Sequence, residues 1–527
     1  MTSFGPNVRT PAVTKEASMT APFRRSLPPH ADLGQQRTLA KELLRAFHAG
    51  DPEARTRVRA ALPDKPTIKL ADAQFALARE YGFASWGDLK RALDARPLQR
   101  LRDAVQAGDA AAMRALLSRH AGLRATINAP LFSFDSPAIV HAASRGDVPT
   151  IDVLLEFGAD PNRRSDWWAG GFHALHSVRG GEAADRLLAA GAVPDACAAA
   201  HLDRPELLER LLAEDPARAH ERGGDGQTPL HFARSRAVAD LLLAASADVD
   251  ARDVDHRATP AQWMLERRRG AGRYELARYL VVERGAAADI FLAAALGLAD
   301  RVRAMLDADP SLLRLLTGQG EYGERPPSSY HIYTWTIGAS LTPLEVAAQF
   351  EQPEALAAMR GFASPTRRFV SACMTGDEEG ARALARAQPG VVRSLAADEQ
   401  RALPHAAWHG NARTVALMLE LGFDPTVPGH DGGTALHCAA WQGSAASVAA
   451  ILRHPDARSL VALRDAFYGA TPLGWCCHGS LHGNPAGQHA EVARLLLAAG
   501  ATPGPDSEHA SEAVRTAIDA WMVERQR

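Results

Sequence analysis

The sequence predicts an all-α chain: a solenoid of helix-turn-helix repeats preceded by a small helical module. Three observations predict it. The first is the stretch DGGTALHCAAWQGSAASVAAIL at residues 431–452, which reads as one turn and two short helices. Leu436, Ala439 and Ala440 recur at i, i+3 and i+4, a stripe on one helix face, and Val448, Ile451 and Leu452 repeat it on a second helix. Gly432 and Gly433 suit the tight turn, Thr434 stands where a hydroxyl caps the first helix, and Gly443 ends it. The second is recurrence: Gly376 to Gly410 is 34 residues and Gly410 to Gly443 is 33. The third is size. Helices of about ten residues are marginal alone, and 527 residues exceed one compact core. Each pair must be covered by a neighbour like itself, which describes a stack.

The turn motif also recurs. Residues 225–231 read DGQTPLH, 341–345 read LTPLE, 470–473 read ATPL, and Thr259 with Pro260 opens another unit. Self-similarity near 33 residues around T-P-L-H resembles the ankyrin repeat. Thr228, Pro229, Leu230 and His231 fill the motif, while Thr434, Leu436 and His437 fill it with Ala435 in place of proline. The resemblance implies protein binding through the inner groove and turn tips. It also implies that His231 and His437 hydrogen-bond backbone between repeats, a structural role.

Composition agrees. Hydrophobic residues make up 46% and aromatics only 6%, so the core is built from Ala, Leu and Val, as thin, closely packed helices require. Net charge is -2, which favours neither nucleic acid nor membrane. The first 100 residues hold 17 Lys and Arg against 10 Asp and Glu, and every lysine lies at or before Lys90. Five cysteines, an odd and small number, argue for a reducing compartment. No stretch is apolar enough to span a bilayer, and the proline-bearing N-terminus has no secretory h-region. A cytoplasmic, monomeric protein is expected.

In order, residues 1–30 are expected to be a disordered tail. Residues 31–96 form a helical module: Leu39, Leu43, Leu44 and Phe47 share a face, and Ser85 can cap its last helix. The module resembles a helical region ahead of the repeats in some bacterial ankyrin proteins, which implies no activity. Its basic residues offer an alternative, nucleic-acid or anionic-surface binding. They are interleaved with acids, however, as on a solvated face. A first block of repeats is expected over 97–316. Within it, residues 196–213 lack the turn motif, with Asp203 at the glycine position, and the unit from Thr228 has room only for trimmed helices. Residues 317–340 are an inserted loop. A second block over 341–527 ends in a polar capping helix at 508–523.

Three places invite chemistry. Gly318, Gly320 and Gly323 form a G-x-G-x-x-G, but Pro326 and Pro327 follow where a phosphate loop needs a helix. Residues 330–336 alternate β-formers, so a short hairpin is expected. It either presents Tyr330, Tyr333 and Trp335 as a recognition finger or folds them back as a cover. Cys476, Cys477, His478, His482 and His489 are metal-competent but lack zinc spacing. The repeat register places both cysteines where Ala439 and Ala440 stand, as packing residues. No metal, cofactor or catalytic residue is expected, and the chain reads as a non-enzyme.

The implied groove positions flank the Ala-Ala pair of each first helix. They are His141, Ser144 and Arg145 early, then His405, Trp408, His409, Cys438, Trp441, Gln442 and Trp475. Trp167 and Trp168 sit on an aromatic turn tip. Trp408 and Trp441 are 33 residues apart and should stack on successive repeats, either as a binding groove or buried between helices. The expected function is a non-catalytic scaffold for a protein partner.

Overall fold

The computed structural model describes residues 23–28, 31, 33–266, 272–318, 330–429 and 431–526. Most of the expected tail, the arginine-rich 267–271, and Gly320, Gly323, Pro326 and Pro327 lie outside them. The described residues hold helices and a single isolated bridge, Phe132 to Ser136, with no strand. They fall into two compact units.

The unit of residues 8–248 with 253–255 starts with the N-terminal module. Helices Leu33–His48, Pro52–Ala61 and Leu70–Glu80 bury Leu43, Phe47, Ala54, Val58 and Ala76. Residues 24–28, expected in the tail, lie against this module instead. The Arg25 amide donates to Glu80 O at 2.8 Å, and Leu27 packs on the cluster of Ala78, Leu89 and Leu93. Ser85 caps Trp86–Ala107 by accepting from Asp88 N. That helix runs through Pro97 into the first repeat, so the boundary expected at 96 falls inside one helix. The pairs then follow: Ala138–Arg145 with Val148–Glu156, Ala174–Ser177 with Gly181–Ala189, Ala196–His201 with Pro205–Glu214, and Pro229–Phe232 with Arg236–Ala244. The last first-helix has only four residues, the trimming that its sequence required.

The unit of residues 249–252 with 256–527 is a second stack. Its described pairs run from Pro260–Trp263 with Tyr274–Glu283 to Pro472–His482 with His489–Ala498, and Glu512–Gln526 closes it. The expected hairpin is absent. Residues 330–336 form the 3-10 turn Tyr330–Ile332 and the short helix Tyr333–Thr336.

One joint recurs between first and second helices. A glycine takes a left-handed φ and the next residue caps the second helix. This happens at Gly108 and Asp109, Gly146 and Asp147, Gly376 and Asp377, Gly410 and Asn411, and Gly443 and Ser444. Asp203 and Glu351 adopt the same positive φ without glycine's freedom.

The motif histidine couples neighbouring repeats. His437 Nδ1 accepts from Thr434 N at 3.1 Å, so its proton sits on Nε2, which donates to Ala470 O at 3.2 Å. This is the inter-repeat bond that the resemblance implies. The ring is 0% exposed, and burial pushes its pKa down to about 4. The unfolded value is about 6.5, so the unfolded chain takes the proton first. The stabilisation is complete above that pH and is lost as pH falls toward 4, by about 3 kcal/mol. Urea midpoints should therefore drop between about pH 6.5 and 4.5, and His437→Gln should show a shallower drop. Coincident slopes for the two proteins would contradict this.

Candidate functional site: the first-helix aromatic ladder

Helices Ala402–Trp408, Ala435–Trp441 and Pro472–His482 are the first helices of three successive repeats. Each buries a small pair, Ala406 and Ala407, Ala439 and Ala440, then Cys476 and Cys477, which lets the helices approach closely. The cysteines occupy the packing positions that the register assigns them. The residue after each pair is Trp408, Trp441 and His478. These rings form a ladder. Trp408 and Trp441 are stacked, with centroids 6.3 Å apart and planes at 14°. Trp441 and His478 are 5.3 Å apart, and His478 and His482 are 4.6 Å apart. Both tryptophans are half-buried and His478 is exposed, so the open alternatives merge: the rings pack on one another and keep one side in solvent.

Two expected contact residues belong to the interior. Trp475 is 5% exposed, edge-on to His437, and its Nε1 donates to Asp465 Oδ2 at 2.9 Å. Burial opposes the Asp465 charge. Hydrogen bonds from Tyr468 N, Trp475 Nε1, Ala470 N and Phe467 N outweigh it and hold the carboxyl below its usual range. Tyr333 is 0% exposed, and its hydroxyl donates to Asp289 at 2.8 and 2.9 Å. It anchors the insertion instead of tipping a finger. Trp335, on the same turn, is 44% exposed. His405 is half-buried with its ring 4.6 Å from that of exposed His409, and Gln442 is half-buried.

In the other unit, half-buried His141 stacks on Phe132 at 4.5 Å, and burial, then the Arg145 charge, lowers its pKa. Arg145 Nη1 donates to Gln106 O. Trp167 meets Phe134 edge-on at 5.2 Å, and Trp168 is 67% exposed. Phe134, itself half exposed, escaped the sequence reading. It is held outward by a left-handed φ of 60°, which no residue pattern announces. Phe467 and Tyr468 also stand exposed, and their place just before Gly469 and the A-T-P-L turn was the available signal.

His176, Asp195 and Cys197 bring one ligand atom each within 4.8 Å of one another. Their arrangement is that of a satisfied network. His176 Nε2 bonds Asp195 at 2.9 and 3.0 Å, Asp195 also caps Ala198 N and pairs with Arg164, and Cys197 is fully buried. In the N-terminal module, Arg25 and Arg57 pair with Glu80, Lys65 with Asp72, and Arg91 with Asp88, so these cations are matched within the module itself.

Among known families, the ankyrin repeat model matches residues 225–254, the unit that carries the full T-P-L-H motif. With the all-α repeat architecture, this match supports an ankyrin repeat-containing protein, and the repeat suggests a protein–protein interaction module. No curated protein matches the chain.

Proposed function

We propose that the chain is a non-catalytic interaction scaffold that holds a partner protein against the Trp408, Trp441 and His478 ladder. The stacked, half-exposed tryptophans at one-repeat spacing carry this reading. Indoles that keep one face in solvent offer large apolar area at low entropy cost, the composition of binding hot spots. The exposed turn-tip aromatics Phe134 and Trp168, with half-buried Trp167 between them, in one unit, and exposed Phe467 and Tyr468 in the other, would add specificity.

The test is affinity capture with the full chain against a Trp408→Ala/Trp441→Ala variant, after circular dichroism confirms that both fold alike. Partner recovery should fall at least about tenfold, since losing hot-spot residues costs about 2 kcal/mol or more. Equal recovery would refute the ladder as the binding surface.

A further inference from the structure

We propose that His478 and His482 form a chelating pair for a divalent transition-metal ion of the Zn2+ class at the end of the aromatic ladder. The two residues are four apart on Pro472–His482, the spacing that puts two imidazoles on one helix face and within reach of one ion. Their ring centroids are 4.6 Å apart, at 44°, and both side chains are exposed. Rotamer adjustment can therefore turn two nitrogens toward a common ion without moving backbone. Trp441, 5.3 Å from His478, limits the orientations of that ring.

Charge favours the same occupant. His482 ends the helix, in the last turn, where carbonyl dipole ends attract cations. No lysine or arginine occurs between Arg464 and Arg494, so the local sequence supplies no competing side-chain cation.

The sequence alone groups these histidines with Cys476, Cys477 and His489, a set without zinc spacing. The structure divides that set. Both cysteines are 0% exposed, with Cys476 Sγ donating to His489 O at 3.2 Å. His489 is 6% exposed and its Nε2 bonds Trp441 O at 2.9 Å. What remains outside is a two-nitrogen site. Imidazole donors suit Zn2+, Cu2+ and Ni2+ over Ca2+ or Mg2+, and the other coordination positions would be held by water. His405 and His409 have the same spacing and ring separation, but His405 Nε2 is buried. They serve as an internal control.

The experiment is calorimetric titration of the metal-free full chain with Zn2+ alone. A saturable site is expected at neutral pH. His482→Gln and His478→Gln should each weaken it about tenfold or more, with unchanged melting curves. His405→Gln/His409→Gln should leave it intact. No binding by the wild-type chain, or wild-type affinity retained in either single variant, would overturn the proposal.

Discussion

Asp289→Ala is expected to destabilise the unit of residues 256–527 by roughly 4 kcal/mol. Asp289 is 9% exposed and does three jobs. Its Oδ1 accepts Leu292 N at 2.8 Å, capping Ile290–Ala295. Its carboxylate accepts the Tyr333 hydroxyl at 2.8 and 2.9 Å, and Gln262 Nε2 at 3.0 Å. Burial, then the Asp289 charge, pushes the Tyr333 pKa well above its usual value, so the phenol stays protonated and must donate. Removing the carboxylate costs the cap, about 1 kcal/mol, and strips an interior phenol and amide of their shared acceptor, about 1–3 kcal/mol each. Asp289→Asn, which keeps one carbonyl oxygen, should lose less. Urea denaturation followed by tryptophan fluorescence measures both. An alanine variant within about 0.5 kcal/mol of wild type would mean that this network does not hold the insertion.

The repeat architecture was legible because it depends on short-range pattern. The 33-residue spacing of Gly410 and Gly443, the stripe of Leu436, Ala439 and Ala440, and the shortened unit after Thr228 all map onto observed helices. Long-range partners were not legible. Tyr330 to Trp335 looks like a strand because its β-formers alternate, yet Tyr333 finds its acceptor 44 residues back at Asp289 and the segment turns helical. Trp475 has the composition of a contact residue, but the Asp465 carboxylate draws its indole inward. The third rung of the ladder was missed through register. Leu436 to Leu473 is 37 residues, not 33, because the intervening connection is longer. Counting five residues on from Leu473, as from Leu436 to Trp441, reaches His478. The register that explains the cysteines therefore also finds the rung.

Gly479→Ala should cost about 2–3 kcal/mol and weaken partner capture with it. Gly479 lies within Pro472–His482, with ordinary helical backbone, so alanine would be the better residue on propensity alone. What forbids it is the neighbouring repeat. A Cβ there would collide with the Trp441 carbonyl oxygen and come within 2.9 Å of Trp441 Cα. Both are backbone atoms, unable to swing aside, so the two helices must separate. His409 and Gln442 occupy the equivalent position in the two preceding repeats, so glycine here is a local need of this joint. Separation would draw His478 from Trp441, now 5.3 Å away, and expose the small pairs behind them. A lower urea midpoint together with red-shifted tryptophan emission is the expected signature. An unchanged midpoint would mean that the stack absorbs a methyl at this helix contact, and the ladder spacing would then be looser than the proposed rigid docking face requires.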